Sequence, residues 1–258
     1  MKTRILLAKL AKRFPKRLAK MNHDFVGLMV GKLPNEVNKI VLCLDCDWEI
    51  FDKIKEIHPD LVLTHHPLIY GYRSKVFKRD PSKKELCEAL EKEQIPVYSM
   101  HTNFDCGIGG MNDSLAEALC LHNVEIVPNT DMMRGGELDK EMDVKEFAQY
   151  ANKCLNVNYS LLINKGNKKI KRVAIVGGAG SGWWTLAKDA GYDIYISGDA
   201  PHHVRREIVN GGYNYLDMPH EIEKIFMLSM KKIINHIDDS VEIIIIDHEK
   251  EPEPIIVK

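Results

Sequence analysis

The run Leu61-Val62-Leu63-Thr64-His65-His66-Pro67 constrains this chain more than any other segment. Its first four residues are apolar or β-branched and predict a buried strand, and Pro67 ends the hydrogen-bond ladder. Inside a regular strand His65 and His66 would face opposite sides, because side chains alternate. At the mouth of a strand, where the backbone turns, both imidazoles can face one site. Adjacent imidazoles there suit a metal ion; the plain alternative is a hydrogen-bonded surface pair.

A second polar cluster follows the short apolar run Ile95-Pro96-Val97-Tyr98. It reads Ser99-Met100-His101-Thr102-Asn103-Phe104-Asp105 and leads through Gly107 and Gly110 to Asp113 and the helical pattern Leu115 to Leu119. Asp105 is a hard oxygen donor able to bridge two cations, and His101 is either a ligand or an orienting partner. Ligands in open α/β sheets gather outside the carboxyl ends of strands, and both clusters obey that rule. Turn formation and helix capping are the bland roles for Asp105 and Asp113, and they fit Asp113 better.

The last third adds two more clusters. Asp193-Ile194-Tyr195-Ile196-Ser197-Gly198-Asp199 reads as a strand ending in Asp, followed by Ala200-Pro201-His202-His203. Asp217-Met218-Pro219-His220-Glu221-Ile222-Glu223-Lys224 reads as a helix start, with Asp217 as N-cap and Pro219 in the first turn. His220 and Glu223 then share a face, while Glu221 points about 100° away. Glu223 is therefore the expected metal partner.

Strands are expected near Ile40, Leu61 and Val97, with helices near Ile50 and Leu86, and Glu125 to Asn129 reads as a hinge. A helix over Asp143 to Leu155, a strand over Tyr159 to Ile163 and a βα unit opening at Val173 follow. Val241 to Asp247 reads as a strand returning to a sheet. The expected division is a first α/β lobe of residues 1–127 plus about 217–258 and a second of about 128–216. Met1 to His23 contains Lys and Arg but no acid, and Ile5, Leu6, Leu10 and Phe14 recur at helical spacing. An amphipathic helix is expected there rather than a cleaved leader. The turn Gly177-Gly178-Ala179-Gly180-Ser181-Gly182 mimics a dinucleotide-binding loop, but Trp183 stands where the third small residue belongs. A tight turn beside the metal site is expected, with phosphate contact as second option.

Taken in order, these segments resemble the NIF-three-like family, whose members are labelled GTP cyclohydrolase I type 2 homologues or dinuclear-metal hexameric proteins. Val26-Gly27-Leu28-Met29-Val30-Gly31 is similar to its VGLLVG segment. Thr64 to Leu68 matches its HHP loop, and His101 to Asp105 with Gly110 to Asp113 matches HTNLD…GGVND. Val176 to Ser181 matches GGxGS, and Gly198-Asp199 with His203 matches GDxxxH. The chain departs at His23-Asp24-Phe25, where the family has Trp-Asp-Asn. It departs again at Lys224, where the family's last ligand pair, Gly-His-x-x-x-Glu, places its acid. The resemblance implies the fold of two α/β lobes of three-layer sandwich type, without the additional domain of larger members. It further implies a toroidal homohexamer. The expected ligands are His65, His66, Asp105, His220 and Glu223, holding two divalent cations of Zn, Fe, Mn, Co or Ni per subunit. His101, Asp199 and His203, with His202, are the candidates for proton transfer or orientation. The expected chemistry is metal-dependent hydrolysis of a small molecule, of cyclohydrolase, amidohydrolase or phosphoesterase type. The alternative is a non-catalytic metal-binding or scaffold protein, which a lost ligand at Lys224 would favour.

Composition narrows the rest. Apolar content of 45% and charged content of 28% describe a globular chain without an apolar run that spans a bilayer. A net charge of -1 argues against a dedicated nucleic-acid binder. The 6 cysteines predict reduced thiols in a cytoplasmic protein, and Cys43-x-x-Cys46, inside a strand-like run, reads as buried structural thiols.

Overall fold

The structure, a computed structural model, describes residues 1–255. In chain order the elements begin with α1 (Thr3–Arg13), α2 (Lys16–Met21), β1 (Gly27–Val30), β2 (Lys39–Cys43), α3 (Trp48–Ile57), β3 (Leu61–Thr64), α4 (Arg73–Arg79), α5 (Pro81–Lys92), β4 (Val97–Ser99) and α6 (Thr102–Cys106). They continue with α7 (Met111–Ala118), β5 (His122–Ile126), β6 (Arg134–Asp143), α8 (Val144–Cys154), β7 (Leu161–Ile163), β8 (Lys169–Ile175), α9 (Trp184–Asp189), β9 (Ile194–Gly198), α10 (His202–Asn210) and β10 (Tyr215–Met218). Last come α11 (Ile225–Ile237) and β11 (Glu242–Ile245), preceded by a 3-10 turn over His220–Lys224.

The chain divides into two compact units. The first comprises Met1–Gly110 and Phe226–Glu249, the second Met111–Ile225 with the chain from Lys250 onward. These limits differ from the expected 127 and 217. Strand β5 pairs with β6, so the presumed hinge at Glu125 is an edge strand of the second sheet. Asp217 and Met218, read as the opening of a helix over Asp217 to Lys224, instead end β10, which lies between β9 and β7 of that same sheet.

The first unit is built on a sheet of order β1-β4-β3-β2-β11. Strands β4, β3, β2 and β11 run parallel, and β1 closes one edge antiparallel. All four residues of β3 are buried, the pattern of a strand covered on both faces. Val41, Cys43, Val62 and Val97 share one core with Ile50 and Ile54 of α3 and Leu86 and Leu90 of α5. The alternate residues Ile40, Leu42, Leu61 and Leu63 are equally buried. Asp47 caps α3 by accepting from the Glu49 amide, and Asp80 caps α5 ahead of Pro81. Cys43 and Cys46 lie in the core, and burial pushes Cys46 up to about 12, so neither is a reactive thiolate at neutral pH.

The N-terminal segment forms α1 and α2, burying Leu6, Leu10 and Phe14, while Ile5 is exposed. Phe14 packs its ring on Phe104 of α6 at 4.8 Å, and its carbonyl accepts from the Asn103 side chain at 2.9 Å. This fixes the short helix that carries Asp105.

The second unit has a mixed sheet of order β5-β6-β8-β9-β10-β7, with β8, β9 and β10 parallel. Tyr195 and Tyr215 fill its core beside Ala174 and Val176. Helix α7 belongs to this unit: Asp113 sits inside its first turn and pairs at 2.9 Å with Arg134 of β6, which is 1% exposed. Its expected role as an N-cap gives way to this buried ion pair.

Phe14→Ala should lower the stability of the first unit by about 3–5 kcal/mol, since it removes a buried ring and leaves a cavity against Phe104. Urea unfolding followed by circular dichroism measures it. A loss under about 1 kcal/mol would show that α6 does not depend on this contact.

Candidate metal centre

In the first sheet Cys43, Thr64 and Ser99 stand side by side in register at the carboxyl ends of β2, β3 and β4. The next residues of each strand therefore emerge together: Asp45 after β2, His65 and His66 after β3, and His101 after β4. The amides of His65 and His66 still bond to the carbonyls of Cys43 and Leu44, so the ladder continues one step past the strand. Buried Thr64 donates from Oγ1 to the His66 carbonyl at 2.8 Å, and Ser99 lies 2.7 Å from the same hydroxyl. The three imidazoles gather at ring distances of 5.1, 5.0 and 5.6 Å, and one nitrogen of each lies within 4.8 Å of the others.

Each of these rings is oriented by an oxygen acceptor. His65 Nδ1 donates to the Met100 carbonyl at 2.9 Å, His66 Nδ1 to Asp45 at 2.7 Å and His101 Nδ1 to Asp24 at 2.6 Å. An acceptor at Nδ1 fixes the proton there and leaves the Nε2 lone pair for a cation. Asp105, on α6 four residues after His101, brings Oδ1 to 3.5 Å from His65 Nε2 and is 8% exposed. A carboxylate opposite a lone-pair nitrogen in a buried setting is a donor set for a divalent ion of borderline softness.

The second unit repeats the device. Strands β9 and β10 end in register and β8 stops two residues short of them, and their exits carry Asp199, His220 and Gly177-Gly178. His220 Nδ1 donates to Asp199 at 2.6 Å, and His220 Nε2 lies 3.1 Å from Glu223, which is 4% exposed. Residues 220–224 form a 3-10 turn rather than the first turn of an α-helix, and three-residue spacing then eclipses His220 and Glu223. Asp217 is no N-cap: it accepts from the Ala200 amide and pairs with Arg205 at 2.7 Å. The turn at Gly177-Gly178 is also explained. Gly178 has φ +62, and a Cβ there would run into the Glu223 carboxylate. Two of the loop's amides are taken, Gly177 by Asn112 and Gly180 by Ser197.

His202 and His203 are exposed on the first turn of α10 and form no hydrogen bond with the described residues. Asp24 and Asp45, which the sequence reading did not assign to the site, turn out to hold His101 and His66. Glu249 in turn accepts from the Asp45 amide at 2.8 Å, and His248 pairs with Asp47 at 3.1 Å, so the C-terminal segment ties down the loop after β2.

The Duf34/NIF3 (NGG1p interacting factor 3) profile matches residues 1–252. The chain belongs to that family. Among NIF3 relatives it is 33% identical over 241 residues to a GTP cyclohydrolase 1 type 2 homolog of Clostridium perfringens, covering 90% of this chain and 92% of that one. A Bacillus cereus protein related to NIF3 superposes with a TM-score of 0.88 at 22% identity, over 99% of both chains. Reduced HcgD of Methanocaldococcus jannaschii gives 0.78 at 25% identity, over 95% of this chain and 97% of its own. These likenesses establish the NIF3 fold, two sheets with helices. Among the described residues no helix is long and apolar enough to cross a membrane.

Hydrogen bonds from His101, Thr102 and the Phe25 amide outweigh burial at Asp24 and hold its carboxyl down at about 2. A lowered carboxylate stabilises the fold above its unfolded value near 4, and that contribution is lost as pH falls toward 2. The stability gap between wild type and Asp24→Asn should therefore be full above pH 4 and close between pH 4 and 2. Urea midpoints across that range test it; a gap that stays constant would mean Asp24 is not ionised in the way its partners imply.

Proposed function

We propose that this chain is a dinuclear divalent-metal-binding protein acting as a metal-dependent hydrolase, with His65, His66, Asp105, His220 and Glu223 as the ligands. The observation that carries the reading is the tethering of His65, His66, His101 and His220 through Nδ1 to an oxygen acceptor. Imidazoles held this way turn Nε2 toward the site, the nitrogen that a Zn, Fe, Mn, Co or Ni ion would take. Glu223 serves in place of the acid the family has at the position of Lys224, and its 3.1 Å approach to His220 supports that role. Bound cations would supply Lewis-acid polarisation of a carbonyl, C–N or phosphoryl group. His101, aimed by Asp24, is the proton acceptor in this reading, and Asp199 orients His220. His203, on the first turn of α10, is a further candidate for proton transfer. The assembly that goes with the reading is a toroidal homohexamer, and its setting is the cytoplasm.

Elemental analysis of protein purified without a metal-affinity tag tests the core of the proposal. Close to two equivalents of transition metal per chain are expected, falling in His65→Ala, His66→Ala and Asp105→Ala while circular dichroism stays that of wild type. Unchanged metal content in all three would refute the ligand assignment. If turnover occurs, Asp105→Asn should lower kcat far more than it changes KM.

The 3-10 turn sets a second test. Glu223→Gln should lower metal content, because the amide keeps the shape and loses the charge. Glu221→Gln should be nearly silent. The reverse pattern would assign the acid role to Glu221.

A further inference from the structure

We infer that the cavity beside Asp24 in the first unit is an anion site that holds the phosphate of a small phosphorylated substrate. This deepens the hydrolase reading and rests on it. The cavity is an open cleft of about 630 Å3, within the usual range for small-molecule sites, and its lining includes Lys16, Arg17, Lys20, Arg73, Asp24 and Phe25.

The charge balance at this place is unusual. Arg73 is satisfied by Glu91 at 2.8 Å and by the Phe77 ring. Asp24 is also committed, one oxygen to His101 and Thr102 and the other to the Phe25 amide. Lys16, Arg17 and Lys20 have no carboxylate partner among the described residues. Lys16 and Lys20 lie one helical turn apart on α2, an arrangement that costs stability through like-charge repulsion. A cleft lined by unpaired cations concentrates anions, and lysine and arginine are the usual donors to phosphate.

One of these cations lies against the backbone of β1. Gly27 has φ +110, and a Cβ there would collide with Lys16 Nζ, which also sits 5.4 Å from the Tyr98 ring. The positive φ is what calls for glycine at this position. The cavity wall then leads toward the metal ligands. Phe25 is flanked edge-on by Tyr70 and Tyr72 at 6.0 Å each, and the Tyr70 ring lies 6.3 Å from His101. A molecule anchored by its phosphate on α2 would lay its apolar body along these rings and present its other end near His101. Bulk nucleic acid fits less well, because the chain's net charge is -1 and the unpaired cations are confined to the short helix α2.

Calorimetric titration of the full chain as purified with adenosine monophosphate tests the site, with adenosine as the phosphate-free control. Saturable binding is expected, at least 10-fold weaker for adenosine and at least 10-fold weaker for adenosine monophosphate in K16A/K20A. The pair K168A/K169A, which removes the same charge from exposed positions of the second unit, should bind as wild type. Equal loss in both pairs, equal affinity for adenosine, or preferential binding of a single-stranded oligonucleotide with the same lysine dependence would overturn the proposal. Metal content measured on the same samples separates the two readings. Wild-type metal with no binding of adenosine monophosphate rejects the anion site alone. Binding lost in K16A/K20A from a chain that carries no metal upholds the anion site and rejects the metal assignment.

Discussion

Parallel strands that end in register determine what this molecule can do. When neighbouring strands stop at the same level, the residues that follow them leave the sheet along one edge, free of the ladder and close together. In the first unit this edge collects Asp45, His65, His66 and His101 from three strands. In the second it collects Asp199 and His220, with Gly178 giving Glu223 its room. The sheet cores supply rigidity, and the exits supply chemistry.

The second layer of control is electrostatic. A ring nitrogen with a proton cannot bind a cation, so the fold must decide where the proton sits. Here Asp24, Asp45, Asp199 and the Met100 carbonyl each take the Nδ1 proton of one histidine. These acceptors come from loops and turns, where small shifts in sequence move them easily, and their aim depends on further ties. The Asp45 amide is held by Glu249, and the helix bearing Asp105 rests on Phe14. A site of a few ligands thereby draws on contacts from both ends of the chain.

How much of this was legible in the sequence follows from the range of each interaction. The strand before His65 was plain, because four buried residues in a row and a proline are local signals. The clustering of His101 and Asp105 was also local, one helical turn. The carboxylates that orient the histidines were not, since Asp24 and His101 lie 77 residues apart and Asp45 and His66 lie 21 apart. The one available hint was that Asp24 stands in the middle of a segment otherwise unlike the family's Trp-Asp-Asn. Asp217 misled for a physical reason: an aspartate before proline suits a helix cap and a strand end alike, and Arg205 decides between them. The glycine run near Gly178 imitated a phosphate loop because both need backbone room, in this case for a carboxylate.

Connectivity adds a constraint on timing. The second unit is almost continuous in the chain, from Met111 to Ile225, whereas the first needs Phe226–Glu249 to add its edge strand β11 and to fasten Asp45. On the ribosome the later-named unit can therefore finish while the earlier one waits, its histidines already made but their carboxylate scaffold incomplete. The tie from Glu249 to the Asp45 amide can form only after residue 249 has emerged, so the scaffold that aims His66 is among the late contacts of this unit.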